Sequence, residues 1–179
     1  ALFENCFKVL DGPDAPTMIV QEMNNEVLLY ITYEDPSSNN YGEKYFEVDP
    51  SIVRTYTDEA GKTQTYSDSA RAYIFEGYQI YQLKDASVSI ADIYDETKAR
   101  LVAQCDIENY YDTACTIPIG TLVNYTSNSS TGLLSGQVMV TGANKGVQHV
   151  FRITNDQFAS GVSSKLVNNQ EYYYICVAY

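Results

Sequence analysis

Hydrophobic and polar residues alternate with a period of two through most of this chain, the spacing of half-buried β-strands rather than helices. Residues 26–33, EVLLYITY, show it best, with Val27, Leu29 and Ile31 on one face. Residues 17–22 predict a strand before it, and Asn24-Asn25 a tight turn, so the two read as a hairpin. Residues 71–83, RAYIFEGYQIYQL, predict the strongest internal strand. In it Tyr78 and Ile80 share a face and Gly77 permits a bend. Further strands are expected at 99–106, 120–125, 136–141, 148–154 and 171–179, separated by Ser/Gly/Asn turns. In the last, Tyr172, Tyr174, Cys176 and Ala178 point the same way.

Between these strands the pattern breaks. Residues 1–16 read as an irregular lead-in ending in the turn chemistry of DGPDAP at 11–16. Residues 34–70 are polar and rich in turn residues, with one hairpin expected around Ala60-Gly61 that pairs 53–57 with 63–67. A connection this long is an insertion or carries function. Residues 89–95 predict a helical turn, with Ser89 as N-cap and Asp92 near the positive helix end. Short strands at such spacing predict an all-β sandwich, one domain over 17–179.

Composition narrows the partners. Eleven basic residues against 23 acidic ones leave a formal charge of -12, and the Lys and Arg residues do not cluster. Nucleic acid, which is held through phosphate neutralisation, is disfavoured, and so is an anionic membrane surface. No apolar run approaches the roughly 20 residues of a membrane span, so membrane insertion is not expected. The chain begins at Ala1 without Met or a signal peptide, as expected of a processed chain or a piece of a larger one. The 17 tyrosines suit half-buried sheet faces.

Cys6, Cys105, Cys115 and Cys176 contain no Cys-x-x-Cys pair, and His149 is the only histidine, so a zinc site is not expected. Cys105 and Cys115 flank a polar loop that suits a local disulfide, which leaves Cys6 with Cys176. The alternative, equally open, is that Cys176 is a small buried apolar residue. Disulfides would place the chain outside the cell.

Leu166 lies six residues before Tyr172 at a strand entrance. This spacing resembles the tyrosine corner of immunoglobulin-like sandwiches. Residues 77–81, GYQIY, are similar to the third strand of fibronectin type III domains. Pro16 with the strand after it matches that family's usual opening. These motifs cover well under half of the chain. The core Trp usual in the family's second strand is absent, insertions at about 34–70 and 84–135 enlarge the domain, and the last strand is missing. Residues 75–83 followed by 99–106 resemble segments of large secreted or surface proteins of Bacteroidota-type bacteria. That resemblance implies a multi-domain, exported chain whose sandwiches serve as spacers or adhesive modules. It also implies that Ser69 and Thr113, in Asp-Ser/Thr-apolar sequences, are candidate O-glycosylation sites. Asn124 and Asn128 fit the Asn-x-Ser/Thr acceptor pattern.

No catalytic constellation stands out. A Ser-His-Asp or Cys-His site would need His149, which falls in a predicted strand and reads as structural or surface. Asp106, Glu108 and Asp112 lie close together after a strand and are candidate calcium ligands; a solvated acidic loop is the preferred reading. No other cofactor is implied. Tyr110, Tyr111, Tyr41 and Tyr45 fall in predicted loops and are the candidates for stacking on sugar rings. The expectation is therefore a non-enzymatic extracellular module, structural or adhesive, in a larger surface protein or fibre. A carbohydrate-binding module is the alternative. Tyr172, Tyr174, Cys176 and Ala178 mark a sheet edge that a neighbouring domain or subunit would cover by strand addition.

Overall fold

A computed structural model describes residues 11–49, 55–108, 121–127 and 134–179, with only the backbone for 70, 121–127 and 134–137. In chain order the strands are β1 (Thr17–Met23), β2 (Glu26–Thr32), β3 (Phe46–Val48), β4 (Thr55–Thr57), β5 (Thr63–Thr65), β6 (Ala72–Ile74), β7 (Gly77–Leu83), β8 (Ala99–Asp106), β9 (Thr121–Ser127), β10 (Leu134–Thr141), β11 (Val150–Ile153) and β12 (Tyr173–Ala178). The only helical elements among the described residues are 3-10 turns at Asp68–Arg71 and Ile90–Asp92. No described helix is long and apolar enough to cross a membrane.

Two three-stranded antiparallel sheets face each other across one core. Their orders are β1-β2-β11 and β12-β7-β8. Strand β2 buries alternate residues, as its pattern predicts: Val27, Leu29 and Ile31. Phe151 and Ile153 of β11, opposite Leu29 and Val27, extend that face. Tyr78 and Ile80 of β7, Cys105 of β8 and Cys176 of β12 supply the other side, and Tyr45, Phe75 and Leu166 close the rim. Full burial of a side chain such as Leu29 or Ile80 stabilises by roughly 1.5–3 kcal/mol.

The β12-β7-β8 sheet is covered on its outer face too. Tyr81, Leu83, Ile93 and Ala99 form a second cluster with Tyr173, Ile175 and Val177 against it. The connection after β7 wraps this face, and Asp92 anchors it by accepting from the backbone N–H (3.1 Å) and hydroxyl (2.9 Å) of Ser89. Every residue of β7 is therefore buried, and its glutamines need partners. Gln79 donates to Gln104 at 2.9 Å, and Gln82 donates to Asp156 at 2.6 Å.

The strand expected over 71–83 is two strands in different sheets. β6 pairs with β3, and β7 with β12 and β8. The break falls at Phe75-Glu76. The Glu76 and Gly77 amides both donate to the Tyr179 carbonyl, at 2.7 and 3.1 Å. Gly77 fits because a Cβ there would sit 2.1 Å from the Cys105 carbonyl oxygen. β8 spans 99–106 as expected, and the other expected strands differ by no more than two residues at an end. The hairpin at Ala60-Gly61 forms as β4-β5, with Tyr56 opposite Gln64; residues 53 and 54 lie outside the described residues. Among the described residues β9 and β10 pair only with each other.

Candidate functional site

The corner before β12 sets the geometry of the most distinctive surface. Leu166 is buried in the core and its amide donates to the Thr154 carbonyl at 3.0 Å. The Val167 amide then donates to the Tyr172 hydroxyl oxygen at 2.8 Å. Asn168 reaches across to the β1–β2 turn: the Asn25 amide donates to its Oδ1, and its Nδ2 donates to Asn24 Oδ1, both at 2.8 Å. Asn25 takes a positive φ of 57°, which Asn tolerates in a tight turn.

These contacts frame a groove of about 1190 Å³ between β1 and the 166–174 segment. Met18, Val20, Met23, Val27, Leu83 and Leu166 supply its apolar lining, and Glu22, Glu26 and Glu171 its charges. Cross-strand register puts Val20 opposite Leu29, so Val20 belongs to the core-facing side of its sheet. It is nonetheless 48% exposed. The opposite sheet stops at β12, and nothing described lies beneath β1 there. Tyr174 lines the same groove, and its hydroxyl is buried without a hydrogen-bond partner. Burial pushes its pKa up to about 12.

The opposite end of the sandwich is closed by a polar network. Glu43 accepts from the Tyr78 hydroxyl at 2.8 Å and contacts His149 Nε2 at 2.6 Å. Asn40, fully buried, accepts from the Tyr45 amide at 3.1 Å and donates to the Tyr33 hydroxyl. Burial drives the Tyr78 hydroxyl pKa far above its ordinary value. The sole histidine thus sits on the surface against a carboxylate that the core tyrosine holds. Sequence reasoning missed Glu43, because its partners Tyr78 and His149 are distant in the chain, and Asn40, because its burial between Tyr33 and Tyr45 leaves no mark in a polar, turn-rich stretch.

Several expected sites are placed differently. Cys105 and Cys176 are free, buried thiols, so neither expected bridge is present; Cys6 and Cys115 lie outside the described residues. The two thiols sit on β8 and β12 with β7 between them, and burial raises the pKa of each, that of Cys176 to about 12. Asp106 is 1% exposed, and its carboxylate accepts from the Ala143 amide at 3.0 Å and the Asn144 amide at 2.8 Å. Those oxygens hold a loop of the chain itself. Glu108 is exposed, Asp112 lies outside the described residues, and no metal-holding group of three His, Cys, Asp or Glu occurs among the described residues.

Of the tyrosines proposed for sugar contact, Tyr41 is 47% exposed but Tyr45 is buried, with its hydroxyl donating to the Asp11 carbonyl. Tyr110 and Tyr111 lie outside the described residues. Ser69 is exposed on the first 3-10 turn, Asn124 lies in β9 opposite Gln137, and Thr113 and Asn128 lie outside the described residues. Tyr172, Tyr174, Cys176 and Ala178 do share the core face, and among the described residues β12 is the outer strand of its sheet.

Comparison with protein-family models, with curated proteins and with solved structures found no match to this chain.

Proposed function

We propose that this chain is a fibronectin type III-like module of a larger extracellular or cell-surface protein or fibre, with a structural or adhesive, non-enzymatic role exercised through sheet edges. The observation that carries this reading is the Tyr172 corner leading into an open-edged β12. A hydroxyl that fixes the backbone a few residues upstream of the penultimate strand is the hallmark of that sandwich class. The orders β1-β2-β11 and β12-β7-β8 among the described residues support a sandwich of this kind, elaborated over 34–70 and 84–135.

The test is cellular. A membrane-impermeant label applied to intact cells should modify the chain. Removing the module from its parent polypeptide should abolish surface attachment or fibre growth while the remainder is still exported. Labelling only after lysis, or unchanged attachment, overturns the reading. A second reading, glycan binding, is favoured by the half-exposed ring of Tyr41; glycan retention lost on Tyr41→Ala would support it.

A further inference from the structure

We propose that the groove between β1 and β12 receives one extended strand donated by a separate polypeptide, with apolar residues at alternate positions and basic residues at its ends. This rests on the edge-association reading above and specifies its site and partner chemistry.

The backbone argument comes first. The Tyr179 amide donates to the Gly77 carbonyl at 3.0 Å and the Gly77 amide to the Tyr179 carbonyl at 3.1 Å, so these two residues exchange both bonds. Antiparallel ladders alternate. Val177, Ile175 and Tyr173 therefore direct their amides and carbonyls to β7, and Ala178, Cys176 and Tyr174 direct theirs away from it. Among the described residues no strand pairs with that edge of β12, which is a template for one more strand.

The side-chain argument is independent. A strand added beside β12 would lie beneath β1 and cover the core-facing side of Val20, now 48% exposed. Met18 and Val27 line the same groove, so the added strand would meet a continuous apolar surface there.

Charge selects the partner. The groove's charged lining is Glu22, Glu26 and Glu171, with no Lys or Arg. Arg152 neutralises Glu26 at 2.5 Å, which leaves Glu22 and Glu171 to face the occupant. A second copy of this chain carries a net charge of -12, and its own edge strand β1 brings another Glu22 and no basic residue. A foreign strand with Lys or Arg at its ends complements the site.

The experiment follows residue-level hydrogen exchange of the full chain with a synthetic peptide, Lys-Val-Thr-Val-Thr-Val-Lys, whose seven residues span about 23 Å as a strand. Exchange at the Tyr174, Cys176 and Ala178 amides should slow about tenfold or more. A peptide N-methylated on alternate residues should have no effect, and one with Glu in place of Lys should bind at least about fivefold more weakly. Val20→Ser should weaken the lysine peptide about fivefold while leaving the circular dichroism spectrum unchanged. No slowing at saturating peptide, equal action of the N-methylated peptide, or protection of these amides in the isolated dilute chain overturns the proposal. So does protection that grows with the chain's own concentration, which would make a second copy the occupant. Failure here with attachment still lost on module removal would reject the groove alone and leave the broader reading standing.

Discussion

The Val167 amide and the Tyr172 hydroxyl lie 2.8 Å apart, and this one bond directs the chain from the loop after Leu166 into β12. A single neutral hydrogen bond contributes roughly 0.5–1.5 kcal/mol. Tyr172→Phe keeps the ring and removes the acceptor. It should lower the urea-derived stability by about 1 kcal/mol without changing the far-ultraviolet spectrum. No change in the unfolding midpoint would deny the corner its role.

Gly77 and Gly61 should respond differently to alanine. At Gly77 the new methyl would meet the Cys105 carbonyl oxygen at 2.1 Å and Asp106 Cα at 2.8 Å, both backbone atoms. Gly77→Ala should destabilise by about 3 kcal/mol, since β7 and β8 must separate. At Gly61 space is open but φ is +77°, so Gly61→Ala should cost about 1 kcal/mol. Thermal melts of both variants check the order, and equal melting temperatures would refute it.

Asp106 is a buried carboxylate satisfied by the Ala143 and Asn144 amides. Asp106→Asn removes the charge and turns an amide nitrogen toward those donors in one of its two orientations. The expected loss is about 2–3 kcal/mol, the worth of a hydrogen bond to a charged group. Because the same oxygens hold the loop, chelation of calcium should leave the melting temperature of the unaltered chain where it is. A calcium-dependent melting temperature would contradict this.

Alkaline pH should unfold the protein early. Burial raises the Cys176 thiol from 9.0 to about 12 and the Tyr174 hydroxyl from 10.0 to about 12. In the unfolded chain both groups lose their protons near their ordinary values, while the folded chain keeps them. Stability from these groups is therefore complete below about pH 9 and falls as pH rises toward 12. At pH 8 both thiols are neutral, so a thiol reagent should modify Cys105 and Cys176 only on unfolding. Denaturation midpoints that stay flat from pH 8 to 11 would refute the first expectation, and rapid native labelling of Cys176 the second.

Local alternation made much of the fold legible. The buried face of β2, the shared face of Tyr78 and Ile80, the Asn24-Asn25 turn and the Leu166–Tyr172 corner all depend on neighbours a few residues apart. The candidate sites were less legible, because each depends on what lies across the sandwich. Tyr41 and Tyr45 look alike in sequence, yet one is half-exposed and the other is buried and held by the carbonyl of Asp11, 34 residues earlier. Asp106 reads as a loop carboxylate until the 143–144 amides arrive from a distant segment.

By itself the sequence determined that this chain is built of short antiparallel strands, which face of β2 and β12 turns inward, and where the final corner falls. A period of two and the reach of one tyrosine side chain suffice for that. Tertiary structure alone decided that 71–83 divides between two sheets, that Cys105 and Cys176 lie on either side of β7, and that a groove opens beneath Val20. Those outcomes depend on where the strands of one sheet end relative to the other, and residues close in sequence carry no record of that.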